Sequence, residues 1–89
     1  MMELGGNINL KGFDTLNPGE LAVFKKIVGN KVKDISNKVK TYESLTINLD
    51  DNKISALLQV NGKDLKANAD VNNLFFALND LFNDLEKKI

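Results

Sequence analysis

The spacing of apolar residues predicts two amphipathic helices in this chain of 89 residues. The first apolar series recurs at intervals of three and four positions and consists of Leu21, Phe24, Val28, Val32, Ile35 and Val39. Before it, Asn17-Pro18-Gly19-Glu20 supplies a capping asparagine, a proline at the first helical position and a glutamate three residues after the cap. We therefore predict one helix from the Asn17 cap to about Lys40 and a second from about Asn73 to Ile89.

Alternation of apolar and polar residues predicts four strands. Their inward residues are Ile8 and Leu10 in the first, Leu45, Ile47 and Leu49 in the second, Ile54, Ala56, Leu58 and Val60 in the third, and Leu65, Ala67, Ala69 and Val71 in the fourth. Asp50-Asp51-Asn52 separates the second strand from the third, and Asn61-Gly62 is a strong signal for a tight hairpin after the third. Gly5-Gly6 is expected to form a flexible lead-in to the first strand.

The order strand, helix, three strands, helix predicts an α+β protein, a two-layer sandwich in which two helices pack on one face of a four-stranded sheet. Residues 1–89 are expected to form a single domain. The first crossover should be right-handed and should make the first two strands parallel. The opposite face of the sheet would carry Asn7, Asn9, Lys11, Ser44, Thr46, Asn48, Ser55, Leu57, Gln59, Lys66, Asn68 and Asp70.

The absence of His and Cys argues against an enzyme, because the commonest general base, the commonest metal ligands and the strongest nucleophile are missing together. We expect no catalytic residue, no cofactor and no metal. Asp50-Asp51-Asn52 lacks the glycine and the distal glutamate of a calcium loop, so a hairpin turn explains it better. No glycine-rich phosphate loop follows a strand.

The chain shows no sign of membrane association. Its longest apolar run is Leu74 to Leu78, and residues 1–9 do not have the pattern of a signal peptide. We expect a cytoplasmic protein without a membrane partner. All basic residues are Lys, so sequence-specific DNA reading by Arg is not expected either.

The first predicted helix gathers positive charge in a chain whose net charge is zero. Its cations are Lys25, Lys26, Lys31, Lys33, Lys38 and Lys40, against Glu20 and Asp34, which gives a net charge of +4. Lys26, Lys33 and Lys40 repeat every seven residues and are predicted to line one flank, with Lys31 and Lys38 on the other. Such a cluster fits phosphate binding, although a simple solvated helix face explains it as well.

Phe76 is predicted to lie opposite the apolar face of the second helix. An exposed aromatic ring there could stack on a base or contact a partner protein, and partial cover by a loop is the plainer alternative.

Three stretches, taken in order, resemble a known family. The family's opening strand, Ile-Asn-Ile-Thr-Gly, is similar to Ile8-Asn9-Leu10-Lys11-Gly12. Its central hairpin is similar to Lys53-Ile54 through Asn61-Gly62, followed by Leu65 to Ala69. Its last helix is similar to Asn73 to Asn79, continuing to Leu85-Glu86-Lys87-Lys88-Ile89. The pattern is that of the N-terminal domain of the ribosome hibernation-promoting factor and sigma-54 modulation protein family. The chain departs from it at Asn73 and Asn79, where the family has Asp, and at Phe75, where it has Tyr.

The resemblance implies a factor that binds ribosomal RNA at the decoding region of the small ribosomal subunit and silences translation during stress. It implies RNA contacts by the first-helix lysines and by Lys87, with Lys88 beside it. We expect such a factor to be a monomer that acts by occupancy. Two alternatives remain: a module similar to double-stranded RNA-binding domains, and a protein-interaction or oligomerisation domain that uses Phe76 or the polar sheet face.

Overall fold

The computed structural model describes residues 2–89 and contains one mixed sheet with two helices. The elements are β1 (Met2–Leu4), β2 (Ile8–Lys11), α1 (Pro18–Lys38), β3 (Tyr42–Asp50), β4 (Lys53–Val60), β5 (Lys63–Asp70) and α2 (Leu74–Lys88). The strands are ordered β1-β2-β3-β4-β5. As predicted, the strands on either side of α1 are parallel neighbours, β2 and β3. All other neighbouring strands are antiparallel.

The sheet has five strands, so the predicted count of four is wrong. The additional strand is β1, which pairs with β2 so that Leu4 lies opposite Ile8. Gly5-Gly6 is the turn of this hairpin and not a flexible lead-in, with Gly6 at φ 75° and Asn7 at φ 60°. Three residues are too few to display the period-2 alternation on which strand prediction depends.

Asn7 belongs to this turn and does not extend the polar face of the strand as predicted. Its side-chain amide donates to the Glu43 carbonyl at 3.0 Å, and its own carbonyl accepts from the Leu45 amide at 3.0 Å. Asn is well suited to a left-handed backbone conformation, because its short polar side chain can form hydrogen bonds with the nearby backbone. Asn7 therefore ties the β1–β2 hairpin to the start of β3.

Helix α1 begins at the predicted cap. The Asn17 Oδ1 accepts from the Glu20 amide at 2.8 Å, and the Asn17 side-chain amide donates to the Glu20 Oε1 at 2.6 Å. The first bond satisfies one helix-end donor, the Glu20 amide, and the second joins the two side chains. The helix runs without a break through Gly29 and ends at Lys38, two residues before the predicted end at about Lys40. Val39 is extended, and its side chain packs against the core while the chain turns into β3.

One apolar core lies between the inner face of the sheet and both helices. It contains most of the predicted residues of the central strands and the two helical faces, whereas Leu21, Val39 and Leu49 are partly buried and pack against it. No polar side chain is buried among the residues described. The core also contains Phe13, in the loop after β2, whose ring centroid lies 4.6 Å from that of Phe24. The periodicity gave no indication of Phe13, because a single aromatic residue in a loop has no period.

Gly12 allows the chain to leave β2 toward Phe13. Its φ is 80°, and a Cβ at this position would overlap the Leu49 backbone carbonyl. Glycine is the residue that meets both requirements at once.

Across residues 2–89, neither helix combines the length and the apolarity that crossing a membrane would require.

Candidate nucleic-acid interface

Two lysines of α1, Lys26 and Lys33, are exposed on its solvent-facing side. The residues that α1 buries are Phe24, Val28, Val32 and Ile35. At about 100° per residue, Lys26 and Lys33 lie almost on one line, roughly opposite this face and not on one of its flanks as predicted. Seven residues separate them, which corresponds to about 10.5 Å along the axis. Helix α1 therefore presents two ammonium groups in a row to solvent.

Lys25 and Lys31 are half-buried and lie on the two flanks of the buried face. At about 100° per residue the two positions are separated by roughly 120° around the helix. Long lysine side chains on such flanks cover apolar surface with their methylene groups while the ammonium reaches water. Both can add charge at the borders of the exposed face.

Lys38 is not a free cation. Its Nζ lies 3.2 Å from the Glu86 Oε2, and this ion pair joins the last turn of α1 to the last turn of α2. The contact places Lys38, and with it the flank that carries Lys31, on the side of α1 that faces α2. An exposed pair of this kind is worth roughly 0 to 1 kcal/mol, so a strongly anionic partner can compete for Lys38.

Lys40 lies beyond the end of α1, so the predicted line of Lys26, Lys33 and Lys40 is wrong in its third member. Lys40 is exposed in the turn that leads into β3. Counted over Pro18–Lys38, α1 has five lysines against Glu20 and Asp34, a net charge of +3. The helix is still the most basic element of a neutral chain.

The two lysines at the end of α2 differ in their surroundings. Lys87 is exposed. The Lys88 Nζ pairs with the Asp84 Oδ2 at 3.1 Å and also donates to the backbone carbonyl of Lys66 in β5. Lys88 thus closes part of the outer edge of the sheet, and Lys87 is the better candidate for contact with an external anion.

Phe76 lies in the first turn of α2 and is 74% exposed. The prediction that it points away from the core is confirmed, and the alternative of cover by a loop is not observed within residues 2–89. The Asn73 Oδ1 caps the helix by accepting from the Phe75 amide at 3.0 Å and from the Phe76 amide at 3.2 Å. This cap explains structurally why an amide residue occupies position 73.

The outer face of the sheet is polar, as predicted, and has two parts. In one, Ser44 donates to Gln59 at 2.5 Å and Gln59 donates to Asp64 at 3.1 Å. In the other, a shallow depression of about 230 Å³ is lined mainly by Thr46, Asn48, Ser55, Leu57, Lys66 and Asn68. Lysines and carboxylates alternate on this face, since Lys53 lies between Asp50 and Asp70 in the strand register. It therefore lacks the one-signed charge of α1.

No group of acidic side chains within residues 2–89 is arranged to hold a metal ion. Burial raises the pKa of Tyr42 to about 12. Its hydroxyl lies 3.4 Å from the Asn7 carbonyl, to which it donates, so Tyr42 supports the β1–β2 turn. A phenol with a raised pKa is a poorer general acid or base near neutral pH.

Sequence reasoning missed the two ion pairs that occupy Lys38 and Lys88. The Asp84–Lys88 pair has the spacing of neighbours on one helix face and was open to prediction. The Lys38–Glu86 pair joins residues 48 positions apart, so it could not be predicted without knowing how the two helices pack together.

The fold and this surface define a small α+β domain with a basic helical face. No protein-family model matches the chain, and no curated protein is significantly similar to it.

Proposed function

We propose that this domain is a ribosome-associated factor that binds ribosomal RNA of the small subunit through α1 and inhibits translation by occupying its site. The observation that carries the proposal is the exposed pair Lys26 and Lys33 on a helix of net charge +3 in a chain of net charge zero. The proposed interface consists of Lys25, Lys26, Lys31 and Lys33 on α1, Lys40 after it, and Lys87 on α2. Lys38 and Lys88 join it when RNA phosphates displace Glu86 and Asp84.

The charge distribution favours local docking over general adhesion to polyanions. A neutral chain gains no long-range attraction from its net charge, so its contact with RNA must come from a local patch. Lysine ammonium groups act as point charges that bind phosphates without reading bases. The acidic residues of the described chain lie mostly in turns, on the sheet and on α2, so α1 is the element with the largest excess of positive charge.

The resemblance to hibernation-promoting factors supports the choice of the ribosome as the RNA. The matching stretches lie in β2, in the β4–β5 hairpin and in α2, and the lysines of α1 match that family's basic helix by residue type and region alone. Lys87 corresponds to a basic position of that family and is exposed here. An absence of His and Cys agrees with binding without turnover.

The test is co-sedimentation of the purified protein with purified small subunits over a series of salt concentrations. Affinity falls as salt rises, and each phosphate contact that is removed makes the slope of log affinity against log salt less steep by about 0.7 to 0.9. The double variant Lys26→Gln with Lys33→Gln should therefore bind more weakly and reduce the slope by about 1.4 to 1.8.

A matched control is Lys11→Gln with Lys53→Gln, which removes the same charge from the outer sheet face. The control should keep the wild-type slope. Absence of binding at low salt, or equal losses in the two double variants, would exclude α1 as the interface.

Double-stranded RNA is a second candidate, because α1-β3-β4-β5-α2 has the element order of double-stranded RNA-binding domains. Those domains place a lysine cluster at the start of their last helix, where this chain has Asn72 and the capping Asn73. Naked duplex RNA that competes as strongly as small subunits would favour this candidate.

A further inference from the structure

We infer that the outer face of α2 is a docking position for one unpaired nucleobase, with Phe76 as the stacking surface. The inference rests on the proposed RNA-binding function. It narrows the RNA partner from folded RNA in general to RNA that has an unpaired base close to the phosphates bound by α1. It assigns a separate role to α2, since α1 supplies charge and α2 supplies an aromatic ring.

Phe76 is preorganised for stacking, because the helix fixes its backbone while its ring is exposed to solvent. The Asn73 Oδ1 accepts from the Phe76 amide, which fixes the first turn of α2. On the inner side, Leu78, Leu81 and Leu85 are fully buried and hold the helix on the sheet. An aromatic ring that is 74% exposed on a rigid helix loses little conformational freedom when a flat ligand stacks on it.

The residues around Phe76 are polar and match the edge of a base. Asn79, Asp80 and Asn83 follow at three, four and seven positions along the helix, and all three are exposed. At about 100° per residue these positions lie within roughly 60° of Phe76. Side chains on a helix lean toward its N-terminus, so the carboxylate of Asp80 leans toward Phe76. Amide and carboxylate groups are those that pair with base edges.

This composition argues for a base in preference to a phosphate or an apolar protein surface. Asp80 repels phosphate but accepts from the N–H groups of a base. A protein-docking patch needs contiguous apolar area. Among the side chains that the structure describes, the other large apolar residues that are exposed are Val23, on α1, and Ile89, thirteen positions further along the chain. A single ring within a polar border fits a planar ligand with polar edges, which describes an unstacked base.

Two measurements on one RNA hairpin with an unpaired loop separate stacking from charge. Phe76→Ala should weaken binding by about 5- to 150-fold, the range for loss of one base–aromatic stack. It should leave the salt slope unchanged, because no phosphate contact is lost. Val23→Ala, which trims another exposed apolar side chain, should leave affinity unchanged.

Phe76→Trp gives a direct readout of stacking, since the chain has no Trp. Its fluorescence should be quenched when the looped hairpin binds, and much less when a blunt duplex with the same stem binds. Circular dichroism of each variant shows whether α2 is still folded.

The outcomes distinguish the two proposals. If the wild type binds neither small subunits nor the hairpin, both proposals fail. If it binds with the expected salt slope but Phe76→Ala retains full affinity, or Phe76→Trp is not quenched by the looped RNA, the base-docking inference is overturned while the lysine interface stands. Self-association of the wild type that Phe76→Ala abolishes would assign the ring to a second copy of the chain and overturn the inference.

Discussion

The same substitution at two glycines, Gly12→Ala and Gly29→Ala, should change stability in opposite directions. At Gly29, in the middle of α1, an added Cβ would meet no atom within 4 Å. Alanine is more favourable than glycine in a helix interior by about 0.8 to 1.0 kcal/mol. For a domain of this size that gain corresponds to a rise in melting temperature of roughly 3 to 8 °C.

At Gly12 the sign is reversed for two reasons. The φ of 80° is a left-handed conformation, which costs an L-residue with a Cβ about 1 to 2 kcal/mol. The added Cβ would also overlap the Leu49 carbonyl, which belongs to the backbone of a central strand and cannot rotate away. We expect a loss of at least about 2 kcal/mol, which is a fall in melting temperature of roughly 8 to 16 °C or more.

Thermal unfolding followed by far-ultraviolet circular dichroism measures both effects. Gly5→Ala is the control, since a Cβ there meets no atom within 4 Å and its φ is not positive. A melting temperature for Gly12→Ala equal to that of the wild type would refute the placement of the loop after β2. A fall for Gly29→Ala would refute the continuous course of α1.

Three further changes test other contacts. Asn73→Ala removes the cap of α2 and should cost about 1 kcal/mol in chemical denaturation, whereas Asn72→Ala should cost much less; equal losses would contradict the cap. Tyr42 has a pKa raised from 10.0 to about 12 by burial, so folding favours its neutral form. The contribution of neutral Tyr42 to the free energy of unfolding should therefore be fully present below pH 10 and be lost as the pH rises toward 12. Tyr42→Phe should weaken this loss of stability at high pH. The same loss in Tyr42→Phe as in the wild type would contradict the assignment of the loss to Tyr42. Lys88→Met removes the ammonium group that donates to the Lys66 carbonyl on the edge strand β5. It should increase self-association, measured by light scattering, compared with Lys87→Met. Two equally monomeric variants would show that Lys88 does not protect the edge.

Local signals in the sequence were sufficient for most of the fold. The Asn17 cap and the Asn61-Gly62 turn act over four residues or fewer, and the structure shows both, with Asn61 at φ 52° and Gly62 at φ 74°. The alternation along β4 also placed Ile54 and Leu58 in the core correctly. These features are dictated by neighbours in the chain, so they can be inferred without tertiary contacts.

Features that depend on distant partners could not be inferred in this way. Strand β1 exists because β2 offers an edge for Met2–Leu4, and Phe13 is buried because its ring packs against that of Phe24. Tertiary packing decides both, and neither leaves a periodic signal.

The same limit applies to the proposed interface. The sequence predicted which residues are cations and which face of each helix is exposed, and the exposure of Lys26, Lys33 and Phe76 is confirmed. The engagement of Lys38 by Glu86 depends on how the helices lie against each other. Whether these cations bind RNA stays a prediction.

Sucrose-gradient fractionation of a native lysate, probed for this chain, tests the proposed function most directly. We predict that the chain migrates with small ribosomal subunits at low salt and returns to the top of the gradient at high salt, because phosphate contacts are weakened by salt. A chain that stays at the top of the gradient at low salt would contradict the proposal that α1 docks on ribosomal RNA.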